Sequence, residues 1–271
     1  MGRKEKLLIE DNLPESIAAW IAGLPYRCDD VGESGSTILL YDTMALKVEK
    51  ISRSSAHERA LLAWLEGKLP VPGIIEAEKR DGMSFLLMSR LPGEMACSEN
   101  SLRNPEDLVR ALAKGLKMLW EVDVSGCPCT NGLSEKLAQA RYHIANNLEM
   151  DDFNEDTFGP GGFRDVPGLY DFLERNRPKE DLVFSHGDYC LPNVFISGGE
   201  VTGFLDWGNG GVADRWQDIA LCVRSLRYND MEYAGYSEAE YQRHKKLLFQ
   251  ELGMEPDEEK IRYYILLDEL F

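Results

Sequence analysis

The residues most suited to chemistry lie in the second half of the chain. His186-Gly187-Asp188 opens a short polar segment, Asn193 follows Asp188 at an offset of five, and Asp206 closes the apolar run Phe204-Leu205 after an intervening hairpin pattern. That spacing matches the catalytic loop of phosphoryl-transfer enzymes, in which one Asp takes the proton of an acceptor hydroxyl while an Asn and a later Asp hold magnesium. The reaction asks little covalent chemistry of a protein. It needs acceptor and leaving oxygens held in line and charge neutralised by metal ions, and hard cations prefer oxygen donors of the kind Asn193 and Asp206 carry. Taken singly, each Asp or Asn is as well explained by bonds to its own turn. The four features in series are not.

A second group of candidates stands in the first half. Ala45-Leu46-Lys47 resembles a strand that presents a phosphate-binding lysine, and Glu58, eleven residues on in a helical segment, is placed to pair with it. The plainer readings are an exposed strand lysine for Lys47 and the capping partner of Ser55 for Glu58, since Ser55-Ala56-His57-Glu58 has the capping-box pattern. The Gly32-Glu33-Ser34-Gly35-Ser36-Thr37 loop is suited to covering phosphates with backbone N–H groups, although it lacks the full G-x-G-x-x-G spacing. Gly67-Lys68 is not a P-loop, because the earlier glycine and the following Ser/Thr are missing.

The elements that must position these groups follow from periodicity. Asn12 to Gly23 predicts a helix that faces inward with Ile17, Trp20, Ile21 and Leu24, with Asn12 as cap. Ile38-Leu39-Leu40 and Ala45 to Val48 predict paired strands, Leu61 to Leu65 lies on a second helix, and Ile74 to Glu78 with Met83 to Ser89 predicts a hairpin turning at Asp81-Gly82. After Leu91 the pattern becomes helical: Pro105 to Val122, Leu133 to Met150, Trp216 to Leu226, Glu238 to Leu252 and Glu258 to Leu270. One strand-rich piece, Leu182 to Trp207, interrupts them, and Asp151 to Pro167 reads as a surface loop. The expected class is α+β, with residues 1–91 forming a small antiparallel-sheet lobe that binds nucleotide and residues 92–271 a larger, mainly helical lobe for catalysis and substrate.

Composition narrows the partners. Across 271 residues, 30 Lys+Arg stand against 47 Asp+Glu, for a formal charge of −17, while 44% of residues are hydrophobic. The chain has ample material for a core, and it would repel a phosphate backbone, so nucleic acid is not expected as a partner. No apolar run approaches the roughly 20 residues of a membrane span, and no signal peptide is expected, so the chain reads as cytoplasmic. Six scattered cysteines without a Cys-x-x-Cys pair fit reduced thiols.

With these motifs in place, the chain resembles the aminoglycoside phosphotransferase family, most of all the 3'-phosphotransferase type. The likeness runs from Ser34 through Trp64-Leu65-Glu66-Gly67-Lys68-Leu69-Pro70-Val71-Pro72 and the His186 motif to Tyr263-Tyr264-Ile265-Leu266-Leu267-Asp268-Glu269-Leu270-Phe271. The resemblance implies a bilobal protein-kinase-like fold that moves the γ-phosphate of ATP, with GTP a possible donor, to an antibiotic hydroxyl with Mg2+. It implies Asp188 as catalytic base, Asn193 and Asp206 as magnesium ligands, and Lys47 on the nucleotide phosphates, oriented by Glu58. It also implies Ser34 on phosphate and Ser89 to Leu91 as the hinge against adenine. The polycationic drug would sit against Asp151, Asp152, Glu155 and Asp156 and against Asp268, Glu269 and Phe271. Charge physics agrees: two unit charges about 4 Å apart gain about 1 kcal/mol in water but about 4 kcal/mol at an effective dielectric near 20, so a partly enclosed acidic cleft binds where an open face does not.

The chain departs from the family pattern in four places. Ala45 replaces an aromatic residue, Asn209 a basic one and Tyr228 an acidic one, and Gly159-Pro160-Gly161-Gly162 enlarges a loop. The expected activity is phosphorylation of an aminoglycoside hydroxyl, the 3'-hydroxyl by resemblance, which confers resistance. The alternatives are a kinase of the same fold for another small alcohol or antibiotic, and a silent nucleotide-binding protein. A protein-serine kinase fits less well, because no Ala-Pro-Glu segment follows Asp206.

Overall fold

The computed structural model describes residues 13–28, 36–146, 148, 153–154 and 156–271. The chain begins with helix α1 (Glu15–Ile21) and strand β1 (Arg27–Cys28), followed by β2 (Thr37–Leu40), β3 (Met44–Lys50), helix α2 (Arg53–Leu65) and the hairpin β4 (Ile74–Arg80) and β5 (Met83–Ser89). The five strands form one antiparallel sheet in the order β1-β2-β3-β5-β4. Its tight hairpin works because Asp81 and Gly82 both take positive φ, 51° and 78°, as a two-residue turn matched to strand twist requires.

Pleating sorts the residues of β3. Leu46 and Val48 face α1 together with Leu39, Phe85 and Leu87, whereas Ala45 joins Leu86 and Met88 against α2. Because side chains alternate along a strand, Lys47 lies on the same side as Ala45, toward α2. In α1 the inward face is narrower than expected: Ile17 and Ile21 are buried, but Trp20 is 53% exposed and Leu24 is exposed too. The start of α1 follows Pro14, and the expected cap Asn12 lies outside the described residues. Helix α2 is capped differently from the expectation. Ser52, not Ser55, is the N-cap, and Ser55 returns the second bond of the box at 2.9 Å, which leaves Glu58 unused for capping.

Beyond Leu91 the chain forms β6 (Glu94–Met95), a short helix α3 (Glu99–Leu102), the long α4 (Pro105–Trp120) and α5 (Leu133–Ala145). Helix α6 (Val166–Arg175) follows, then β7 (Leu182–Ser185), β8 (Val194–Ser197), β9 (Glu200–Phe204) and β10 (Gly211–Asp214). The chain ends in α7 (Arg215–Tyr228), a π-helical turn over Asn229–Tyr233, α8 (Glu238–Leu252) and α9 (Glu258–Asp268). Strands β6, β8 and β9 make one small sheet, and β7 pairs with β10.

Three expectations need correction here. Helix α6 begins inside the loop expected over Asp151 to Pro167: Pro is tolerated in a first helical turn, and Asp165 caps Gly168 N at 2.9 Å. Strand β10 was missed because a leading glycine hid it. The segment before α6 is also not a plain surface loop: Thr157 is buried, and Phe153, Phe158 and Phe163 pack on the core.

Helix α4 fills the centre of the second half with Leu108, Leu112, Leu116 and Leu119, one face at helical spacing. The same apolar cluster takes in Leu61, Leu62 and Leu65 of α2, so the main core runs across the Leu91 segment. No helix among the described residues is long and apolar enough to cross a membrane.

Candidate active site

Lys47 is 6% exposed and Glu58 3%, so neither is a solvated surface charge. Lys47 Nζ lies 2.8 Å from Glu58 Oε2, 3.5 Å from Asp206 Oδ1 and 3.9 Å from Glu49 Oε1. Burial alone would push the ammonium down, but Glu58, Asp206 and Glu49 outweigh it and hold Lys47 above the ordinary lysine range. Three separate pieces of chain, β3, α2 and the turn after β9, thus converge on one cation.

The loop after β7 is held from below by Asp218 on α7. That fully buried carboxylate accepts His186 N and Gly187 N, each at 2.8 Å. Burial pushes the Asp218 carboxyl up, opposed by His186 and by these backbone donors. His186 Nε2 meets the Leu205 carbonyl at 2.8 Å and Nδ1 lies 3.3 Å from Asp188 N, which ties the loop to the strand leading to Asp206. Gly187 has φ +84°, and a Cβ there would meet the Asn209 carbonyl at 1.8 Å, so glycine is required. Trp207 lies against His186 with ring centroids 4.5 Å apart and planes tilted by 36°, and it touches Phe184, which in turn meets Trp64 of α2.

Asp188 stands at the head of this loop. Asn193, in a single 3-10 turn over Leu191–Asn193, donates Nδ2 to Asp188 Oδ2 at 2.9 Å and to the Asp188 carbonyl at 3.0 Å. Its Oδ1 is therefore the atom left to meet a cation. Leu205 N returns to the Asn193 carbonyl at 2.9 Å, and Asp206 follows with φ 59°, a left-handed conformation unusual for a residue with a side chain and typical of strained sites. Cys190 beside Asp188 stays a thiol, because burial and then the Asp188 charge push it well up. Among the described residues no three His, Cys, Asp or Glu side chains converge on one metal position.

The other expected residues fall into three groups. Ser34, Asp151, Asp152 and Glu155 lie outside the described residues. Ser89 accepts Gly73 N at 2.9 Å, and Leu91 packs against Gly203, where a Cβ would approach Leu91 Cδ2 to 2.5 Å. On the substrate side, Asp268 is paired with Arg224 at 2.6 Å, and Glu269 accepts Thr157 Oγ1 at 2.7 Å as well as Asn154 Nδ2. Glu269 is buried, so it fastens the loop before α6 to the end of α9. Phe271 packs edge-on to His143 and lies 5.1 Å from Lys136 Nζ. Asp156 and Glu269 line a cavity of about 560 Å³ between that loop, α7, α8 and α9.

Sequence reading missed Asp218, Arg224, Lys136 and Thr157. For Asp218 and Lys136 a signal exists in retrospect: Asp218 is a charge in a helix buried nearly all round, and Lys136 interrupts the buried face of its helix. Lys136 is buried near Asp268, Asp188 and Asp218, and burial pushes its ammonium down against the pull of those acids.

Residues 30–249 match the model of the phosphotransferase enzyme family. The chain is 43% identical over 220 residues to an aminoglycoside 3'-phosphotransferase of Enterococcus faecalis, covering 79% of this chain and 78% of that protein. It is similar to the solved aminoglycoside-3'-phosphotransferase of type VIII, with TM-score 0.76, 28% identity and coverage of 94% and 98% of the two chains. An aminoglycoside phosphotransferase of Streptomyces rimosus, solved with ADP and streptomycin, shares the fold at TM-score 0.78 and 21% identity over 100% of this chain and 99% of that one.

Proposed function

We propose that this chain, which belongs to the phosphotransferase enzyme family together with the aminoglycoside 3'-phosphotransferases, transfers the γ-phosphoryl group of ATP to a hydroxyl of an aminoglycoside and so confers resistance. The observation that carries the reading is the meeting of Lys47 with Glu58 and Asp206 at 2.8 and 3.5 Å, beside an Asp188–Asn193 pair at 2.9 Å. A lysine pinned between two carboxylates from different elements supplies a fixed charge for nucleotide phosphates.

In this reading Leu91 divides a nucleotide-binding lobe from a catalytic one. The Ser89 to Leu91 segment meets the base, and Glu58 keeps the Lys47 ammonium on the α- and β-phosphates. Asn193 Oδ1 and Asp206 are the donors for Mg2+, which when bound neutralises the charge on the phosphates. Asp188 accepts the proton of the acceptor hydroxyl as its oxygen bonds to the γ-phosphorus and the bond to the ADP oxygen breaks. Asp218 and His186 hold the loop that aims Asp188. The exposed Asp156 attracts the ammonium groups of the drug, while Asp268 and Glu269, engaged by Arg224 and by Thr157, shape the end of the cavity, and the 3'-hydroxyl is the expected acceptor given the relatives of this chain.

The test is release of ADP from Mg-ATP in the presence of aminoglycosides with and without a free 3'-hydroxyl, beside choline and simple sugars, with Asp188→Ala as control. Turnover restricted to drugs bearing the 3'-hydroxyl is expected, with the phosphate located there by NMR. Turnover stimulated only by a non-aminoglycoside alcohol would overturn the substrate, and no turnover with any acceptor would overturn the enzyme.

A further inference from the structure

Tyr228 and Tyr233 are 56% and 67% exposed, yet their rings form a T-shaped pair with centroids 5.5 Å apart. Tyr228 lines the cavity of about 560 Å³ that also holds Asp156 and Glu269. Large aromatic side chains left in solvent as an adjacent pair at a cavity mouth mark a contact surface more often than isolated exposed ones do.

The backbone between them is built to hold this pose. Asn229–Tyr233 is a π-helical turn, a form that concentrates at functional sites. Its inner side is pinned: Asn229 Nδ2 donates to the Ser225 carbonyl at 2.8 Å, and Asp230 meets His244 Nδ1 at 2.8 Å inside the protein. Ala234 N and Tyr236 N close onto the carbonyls of Asn229 and Asp230 at 2.9 and 2.8 Å. With Asn229 and Asp230 turned inward, the two tyrosines are turned out on a rigid support.

The charges around the cavity show what an aromatic wall adds. Asp156, Glu232, Glu258 and Glu269 line it, but so do Arg224, Arg227 and Arg262. Most of these charges are already engaged: Glu269 and Glu258 by Thr157 and by Lys245 at 2.7 and 2.8 Å, and Arg224 and Arg227 by Asp268 and by Glu238 at 2.6 and 3.1 Å. Beyond what Asp156 and Glu232 supply, attraction for a polycation at this end of the cavity is strengthened by a group that needs no counter-ion. An aromatic face attracts an ammonium through its quadrupole without a counter-ion.

We propose that Tyr228, backed by Tyr233, is a specificity-determining wall that receives a distal, ammonium-bearing sugar ring of the acceptor, remote from the ring that is phosphorylated. This rests on the aminoglycoside reading above. Drugs long enough to reach the cavity mouth gain the contact and short fragments do not.

Initial rates with Mg-ATP are compared for a two-ring aminosugar-aminocyclitol fragment and a three-ring drug containing it, with wild type, Tyr228→Ala, Tyr228→Phe and Tyr233→Ala. Tyr228→Ala is expected to raise KM for the three-ring drug about 3- to 30-fold, the span of a partly desolvated cation–π contact, with kcat within about twofold. The two-ring KM stays within about twofold, Tyr228→Phe behaves as wild type and Tyr233→Ala shows a smaller rise. Because Tyr228 is exposed, melting temperatures confirm that each variant folds. An unchanged KM in Tyr228→Ala, or an equal rise for both acceptors, overturns the wall while leaving the aminoglycoside reading intact. A wild type that turns over neither acceptor overturns that reading first, and the wall with it.

Discussion

Replacing Lys47 by Met removes a buried cation and nearly preserves its volume, which leaves Glu58 as an uncompensated carboxylate at 3% exposure. Breaking a buried pair in this way costs about 3–5 kcal/mol. At about 2–4 °C per kcal/mol for a chain of this size class, the melting temperature should fall by about 6–20 °C at pH 8. The loss is pH-dependent, with a sign fixed by burial. Without Lys47, desolvation raises the folded-state pKa of Glu58 above its unfolded value near about 4.3. A group raised on folding favours the folded state fully below the unfolded pKa, and that support is lost as pH rises through the folded one. Lys47→Met should therefore approach wild-type stability near pH 5 and fall away toward pH 8. The double variant Lys47→Met/Glu58→Gln should regain most of the stability at pH 8 and remain inactive. Thermal melts at both pH values with single and double variants measure all of this. A Lys47→Met protein as stable as wild type at pH 8, or one not rescued by Glu58→Gln, would show that the two residues are not the buried pair described.

Asp188→Ala should lower kcat about 10²- to 10⁴-fold while the Kd for Mg-ATP, measured by calorimetry, changes little; equal losses in both would remove the general-base role. Thr157→Val takes one donor from the buried Glu269 carboxylate and should cost about 1–3 kcal/mol in urea unfolding, and an unchanged midpoint would show that the loop is fastened elsewhere. Gly187→Ala, whose Cβ would strike the Asn209 carbonyl at 1.8 Å, should abolish turnover and lower the melting temperature, whereas full activity would contradict the close approach. KM for a polycationic acceptor should rise with ionic strength, and a flat salt response from 50 to 300 mM would dismiss charge attraction as a source of binding.

What was legible in the sequence depended on how local its cause was. The β2–β3 pair, the Asp81-Gly82 hairpin and the amphipathic α4 follow from residues within a few positions of one another, and their boundaries came out nearly as read. The Ser52 cap did not, because Ser55 offered an equally good local pattern and only the fold selects between them. Lys47, Glu58, Asp188, Asn193 and Asp206 were visible because their spacing along the chain is itself the signal. Asp218 and Arg224 were not, since each matters through a partner 31 to 44 positions away, Gly187 and Asp268 respectively. Glu269 was visible as an acid, but its engagement by Thr157, 112 positions earlier, was not.

Helix α2 has a foot in each half of the molecule. Glu58 reaches up to the first sheet, while Leu61, Leu62, Leu65 and Trp64 are embedded in the core and aromatic stack of the larger half. The helix therefore couples the buried charge pair to the packing of the larger half: a change that shifts Leu61 or Leu62 in that core also shifts the carboxylate that holds Lys47 at 2.8 Å.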